Sequence, residues 1–303
     1  MDSQLPRPLP SSATVIGAGT MGTGIALVLA RNGIDVRLTA RTIASLDRAR
    51  ARIDQEPAGV SIHTTIALED ALAGAELVIE TIAEAVEPKR AVLSAAERLA
   101  APDAILTSNT SSLPLAQLAV TLDRPHRFAG LHWFNPPELV RLIEIVRGEL
   151  TDAVVVETLR DWVIALGKSP VIVQRDVPGF AANRLQYALL REAYALVESG
   201  VCSAEDVDRV LTEGLGPRWA AIGPFETMDL AGLDVHLAVT RNLFPELSNG
   251  VEPPEALVQL TSEGHLGVRS GLGLRGRYDD ERIRALRTLR DRLLSMIPGL
   301  RDA

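Results

Sequence analysis

The stretch Ala13-Thr14-Val15-Ile16-Gly17-Ala18-Gly19-Thr20-Met21-Gly22-Thr23-Gly24 constrains the fold of this chain more than any other. A short apolar run leads straight into Gly17, Gly19 and Gly22, spaced as GxGxxG, and a helical pattern follows over Met21–Ala30. In a strand–turn–helix unit each glycine has its own task. The first permits the tight turn, the second lets backbone approach a pyrophosphate, and the third lets helix pack closely on strand. The pyrophosphate then rests on the free N–H groups at the helix start, where Thr20 and Met21 lie. A flexible glycine loop is the competing reading, and it leaves the flanking strand and helix unexplained.

The rest of the first half repeats that rhythm. Apolar, β-branched runs at 36–39, 60–63, 77–82, 104–106, 127–131, 142–146 and 171–173 alternate with helical patterns, the clearest at 88–99 and 153–166. Alternation of this kind predicts a parallel sheet flanked by helices. After Asp176-Val177-Pro178-Gly179 the spacing turns helical over 180–198, 203–211, 225–243, 254–262 and 280–296. Three segments follow: a disordered leader over 1–12, a nucleotide domain over 13–177, and an all-helical domain over 178–303. The 303 residues suffice for two ordinary cores. A net charge of −8 argues against a general nucleic-acid binder. No apolar run approaches the roughly 18 residues of a membrane span. The single cysteine, Cys202, fits a reducing cytoplasm.

The type of dinucleotide is read at the end of the second strand, Val36-Arg37-Leu38-Thr39-Ala40-Arg41-Thr42. NAD sites normally carry an acid there for the ribose hydroxyls. Here Ala40 takes that place and Arg41 follows. Without the carboxylate there is no repulsion toward a 2′-phosphate, and a guanidinium can pair with it bidentately. NADP is therefore expected over NAD; the plainer alternative makes Arg41 a solvated surface charge.

Three further motifs stand in order: Leu106-Thr107-Ser108-Asn109-Thr110-Ser111-Ser112-Leu113, Gly130-Leu131-His132-Trp133-Phe134-Asn135-Pro136, and Asp176-Val177-Pro178-Gly179-Phe180-Ala181-Ala182-Asn183-Arg184-Leu185. Together with the glycine-rich turn they resemble the L-3-hydroxyacyl-CoA dehydrogenase family, from Ala13 to about Glu213, with a looser echo at 266–271. The resemblance implies a Rossmann-type parallel sheet domain followed by an all-helical one. It also implies hydride exchange at the 3-carbon of a hydroxyacyl substrate. His132 matches the family's catalytic histidine and Glu144 the glutamate that holds it. Ser111 and Asn183 match the residues that hold the substrate oxygen. Asn109 and Asn135 belong with the cofactor contacts, Asn135 at the nicotinamide end, and Glu84 and Lys89 line the crevice. No metal ligand set is implied.

The residues support the roles of His132 and Glu144 independently. An alcohol losing hydride must also lose its hydroxyl proton, and imidazole titrates in the useful range. A carboxylate on the second ring nitrogen fixes the tautomer. Glu144 lies in an apolar strand, where an unpaired acid would be costly. Bland alternatives stand beside them: Ser111 as a helix N-cap, Asn183 as an interdomain hydrogen bond, Glu84 and Lys89 as a solvated ion pair.

Two departures bear on the substrate. Only 37 positions separate Ala40 from Leu77, too few for the helix pair that clamps CoA in acyl-CoA members. The stretch 214–227 looks more like the L-gulonate 3-dehydrogenase (lambda-crystallin) and carnitine dehydrogenase branches; there Arg218 is a candidate carboxylate partner and Trp219 a core residue. Three readings follow. The leading one is a dehydrogenase of 3-hydroxyacyl thioesters, the second a dehydrogenase of a small free 3-hydroxy acid, and the third a cofactor-binding structural protein. Retention of Ser111, His132, Glu144 and Asn183 speaks against the third. An apolar stripe of Leu185, Leu189, Leu190, Ala193 and Val197, together with the family's habit, predicts a homodimer.

Overall fold

The computed structural model describes residues 7–57 and 60–301. It divides into two compact units, Met1–Arg184 and Leu185–Ala303.

The first unit carries β1 (Ser12–Ile16), α1 (Thr20–Arg31), β2 (Asp35–Thr39), α2 (Ile43–Ile53), β3 (Ile62–Thr65), α3 (Leu68–Leu72), β4 (Leu77–Glu80) and α4 (Val86–Leu99). Then come β5 (Ile105–Ser108), α5 (Leu115–Ala119), β6 (Phe128–Trp133), β7 (Leu142–Val146), α6 (Ala153–Ala165) and β8 (Ser169–Val173). The strands form one sheet in the order β3-β2-β1-β4-β5-β6-β7-β8. Alternate side chains feed two cores: Ala13 and Val15 join the one that includes α1 and α6, and Ile16 joins the one that includes α4 and α5. Because helices cover both faces, the strands read as unbroken apolar runs.

The eight runs all become strands, but the sheet is not wholly parallel. β7 pairs antiparallel with β6, and β8 follows β7 in parallel, so the last two strands oppose the first six. The cause is the short connection 134–141, which cannot house a crossover helix and so must reverse the chain. α2, α3 and α5 are not among the clearest helical patterns of the sequence. Two of them are five residues long, too short to show a helical period.

The expected leader of 1–12 is overturned for the residues described. Trp162 Nε1 donates to Pro8 O at 2.7 Å, Arg7 Nη1 donates to Thr158 Oγ1 at 2.6 Å, and Leu9 packs on the first core. A buried indole N–H needs an acceptor, and the chain before β1 supplies it. Residues 1–6 lie outside the described residues.

The second unit holds α7, which begins at Ala182 in the first unit and ends at Glu198, then α8 (Ala204–Arg209), a six-residue π-type turn at Val210–Leu215, and α9 (Gly216–Ala221). α10 (Pro224–Ala231), α11 (Leu233–Leu243), α12 (Glu255–Ser262), a hairpin of β9 (Leu272–Gly273) and β10 (Gly276–Arg277), and α13 (Asp280–Arg301) complete it. The single helix expected over 225–243 breaks at Gly232, whose φ of 100° no right-handed helix allows. None of the residues 185–297 falls in the buried class. Trp219, expected in a core, is 39% exposed. Among the described residues no helix is long and apolar enough to cross a membrane.

Candidate active site

Strands β1, β4, β5 and β6 run parallel, so their C-terminal ends lie along one edge of the sheet. The chain crosses over between β1 and β4, which is where an open α/β sheet places its ligand.

At the end of β1, Gly17 turns with φ 115°. A Cβ on Gly22 would stand 1.7 Å from Gly17 O, so α1 approaches the turn more closely than any other residue type permits. A Cβ on Gly19 would meet nothing within 4 Å. Gly19 is also the N-cap and offers no side-chain acceptor to the first-turn amides. Those amides, at Thr20 and Met21, and the room above Gly19 fit a dinucleotide pyrophosphate. At the adenosine end, Ala40 packs on the core while Arg41 is exposed without a hydrogen bond or ion pair among the described residues. Thr42 caps α2 by accepting from Ser45 N.

Register explains the catalytic pair. His132 on β6 sits directly across from Glu144 on β7, which puts both side chains on one face of the sheet. Nδ1 of His132 lies 2.8 Å from Glu144 Oε2. His132 is only 4% exposed, with the rings of Phe134 4.4 Å and Phe180 5.6 Å from its own, centroid to centroid. Its Nε2 has no partner among the described residues and is the atom left for a substrate. Glu144 Oε1 accepts from the amides of Ala181 (3.0 Å) and Ala182 (2.8 Å) at the start of α7. Burial opposes the carboxylate charge, but His132 and these two amides outweigh it and hold the carboxyl below the usual range. Phe180, with φ 51°, and Gly179, with φ 78°, make the left-handed bend that aims both amides at Glu144.

Ser111 is exposed and its hydroxyl has no partner among the described residues. It is not a helix cap, since α5 starts after Pro114. Asn183 Nδ2 donates to Ser111 O at 3.1 Å, so its tie is within the first unit. Ser111, Asn183, Glu144 and His132 are thus brought together through hydrogen bonds and one short stretch of backbone.

Glu84 shapes the loop carrying Ser111. Its Oε1 accepts from Thr110 Oγ1 (2.7 Å), Ser111 N (2.9 Å) and Ser112 N (3.1 Å). Partial burial resists its charge, yet these donors and the nearby Lys89 keep its carboxyl below the ordinary range. Lys89 is 1% exposed, which rules out a solvated pair. It donates to Glu80 Oε1 at 2.7 Å and Oε2 at 2.9 Å, and stands 3.4 Å from Glu84. Its place is beneath the crevice, bracing Glu84. Asn109 Oδ1 accepts from Trp133 N at 2.8 Å, tying the ends of β5 and β6, while Asn135 is exposed. Arg218 stands exposed on α9 in the second unit.

Sequence reasoning missed Glu80, which is fully buried and also accepts from Ser108 Oγ at 2.6 Å. The signal was present: an acid closing the apolar strand Leu77-Val78-Ile79-Glu80, the same anomaly that marked Glu144. Phe180 carried no signal, because its strained backbone is not written in residue type.

The model of the 3-hydroxyacyl-CoA dehydrogenase NAD binding domain matches residues 12–177, and that of the family's C-terminal domain matches 179–275. The 5-formyl-3-hydroxy-2-methylpyridine 4-carboxylate 5-dehydrogenase of Mesorhizobium japonicum is 38% identical over 293 residues, covering 92% of this chain and 94% of that one. The probable 3-hydroxybutyryl-CoA dehydrogenase of Deinococcus radiodurans is 34% identical, covering 86% and 97%. Among solved structures, an NAD+-dependent enzyme described by the same pyridine carboxylate activity superposes with a TM-score of 0.89 at 38% identity, over 95% of this chain and 97% of that one. The 3-hydroxyacyl-CoA dehydrogenase of Archaeoglobus fulgidus gives 0.71 at 33%, over 96% and 99%. With the glycine turn, the His–Glu pair and both domain matches in agreement, this chain belongs to the 3-hydroxyacyl-CoA dehydrogenase family, NAD-dependent oxidoreductases that act on CH–OH groups.

Proposed function

We propose that the protein exchanges a hydride between a nicotinamide cofactor and a hydroxyl-bearing or keto carbon held by Ser111, His132 and Asn183. The carrying observation is the His132–Glu144 pair, with Nδ1 engaged and Nε2 left over. The cofactor, when bound, takes or gives the hydride. Nε2 takes the hydroxyl proton during oxidation and returns it during reduction, and Glu144 stabilises the charged ring between those events. Ser111 and Asn183 hold and polarise the oxygen.

A 3-hydroxyacyl thioester is the substrate that the family suggests. One observation favours a small free hydroxy acid instead: α2 ends at Ile53 and β3 starts at Ile62, leaving no room for a helix pair that would clamp CoA. The 38% identity to a dehydrogenase of a pyridine carboxylate points the same way. A spectrophotometric screen against acetoacetyl-CoA, an acetoacetyl carrier protein and free keto or aldehyde carboxylates separates the two. Turnover confined to the thioesters overturns the free-acid reading; no turnover of any kind, with tight cofactor binding, overturns both.

NADP is the proposed cofactor, on the strength of Ala40 and of Arg41, which has no partner among the described residues, against the NAD habit of the family. A homodimer in the cytoplasm completes the proposal. Its support is the second unit, which has no buried residue over 185–297 and leaves apolar side chains such as Leu185, Phe225 and Leu230 bare, and the lone thiol of Cys202.

A further inference from the structure

Lys168 has no part in the chemistry described so far, yet it is 8% exposed. A lysine is almost never buried without a carboxylate at hand. Its ammonium instead donates to three backbone carbonyls: Pro137 O at 2.6 Å, Val140 O at 2.9 Å and Glu138 O at 3.2 Å. All three belong to the connection from β6 to β7, the loop that begins with Phe134 and Asn135. An ammonium has three donors, and all are used. The Trp133 ring lies 5.9 Å away on the same loop's threshold.

The loop has a second anchor. Glu138 pairs with Arg52 on α2, and Arg52 Nη1 also reaches Thr20 O, at 3.4 Å, in the first residue of α1. Gly24 on α1 lets the loop lie against the helix, since a Cβ there would come within 2.6 Å of Pro137 Cγ. A chain of contacts therefore runs from the glycine-rich turn, through Arg52 and Glu138, to the carbonyl cage filled by Lys168.

We propose that Lys168 is a positioning residue that fixes the 134–141 loop and so sets where Asn135 meets the nicotinamide end of the cofactor. The proposal rests on the reading of Asn135 as that contact. Lys168 touches neither substrate nor cofactor. It acts by fastening a loop whose two prolines, Pro136 and Pro137, supply no N–H groups of their own.

Charge state offers a lever. Burial lowers the Lys168 pKa to about 8; Glu138 opposes the shift, while Arg141 on the loop and Arg31 on α1 add to it. A neutral amine keeps two donors for three carbonyls, so the cage should slacken as pH rises through about 8.

Titration calorimetry with two probes tests this: the intact reduced cofactor that binds more tightly, and the matching ADP-ribose fragment, which lacks nicotinamide. Lys168→Met should weaken the intact cofactor by up to about tenfold, the upper end of what one neutral hydrogen bond is worth, and leave the fragment unchanged. Equal weakening of both probes, or of neither, overturns the proposal. Asn135→Ala should show the same selectivity. If it does not, the reading of Asn135 fails and takes the proposal with it; if it does while Lys168→Met does not, only the tether fails. Should Lys168→Met not fold, the pH arm decides. The wild type should lose affinity for the intact cofactor relative to the fragment above pH 8, and Lys168→Arg, which keeps its charge, should not. Identical pH behaviour in the two proteins overturns the idea.

Discussion

At the scale of single residues, the site depends on which atoms are already occupied. His132 spends Nδ1 on Glu144, so removing the imidazole should abolish proton transfer and spare the cofactor. His132→Gln is expected to lower kcat by about 10²- to 10⁴-fold with cofactor Kd unchanged, read by stopped-flow rates and calorimetry. Loss of cofactor binding in step with kcat would show that the ring is structural. Among the described residues nothing occupies Arg41, which leaves it able to answer to a phosphate. Arg41→Ala should weaken NADPH by about 10- to 100-fold, the range of a charge-assisted contact, and NADH hardly at all. Equal losses would mean that Arg41 does not read the 2′-phosphate. The sequence marks both residues as candidates because chemistry restricts which side chains could serve these tasks.

At the scale of elements, buried acids at strand positions explain how the edge of the sheet is held. Glu80 ends β4 and is neutralised by Lys89 from α4, with Ser108 of β5 completing its shell. Lys89→Met leaves an uncompensated buried carboxylate, and such losses run to about 3–5 kcal/mol. Urea unfolding should show that drop, and the double variant Lys89→Met/Glu80→Met should recover a large part of it. A single variant as stable as wild type would show the pair to be dispensable. Glu144 joins β7 to the start of α7, and its carboxyl is held below the ordinary value of 4.5. The unfolded chain therefore takes up a proton at a pH where the folded chain has not. The resulting stability is complete above about pH 5 and is lost as pH falls through the lower folded value. Acid unfolding curves of wild type and Glu144→Gln should converge there; a constant gap down to about pH 3 would contradict the sign. The helices without a sequence signal, α3 and α5, are those where five residues leave no period to read.

At the scale of the molecule, the two units differ in what they bury. The first encloses two cores on either face of its sheet, whereas the second encloses no residue over 185–297. Apolar helices without a core are stable only when something covers them, and a second copy is the proposed cover. Melting temperature should then rise with protein concentration, and sedimentation should give twice the mass of 32.6 kDa at micromolar concentration. A concentration-independent transition from a monomer removes the dimer. The sequence alone determined the glycine-rich turn and the eight strands, because each is a local pattern, and its family-like motifs marked His132, Glu144, Ser111 and Asn183 as the residues that the proposed chemistry uses. Tertiary structure alone decided that β7 turns back on β6, that Lys89 lies under the crevice, and that Pro8, Phe180 and Lys168 serve as supports. Those outcomes depend on which groups are left needing a partner once the sheet has closed, and no local pattern records that.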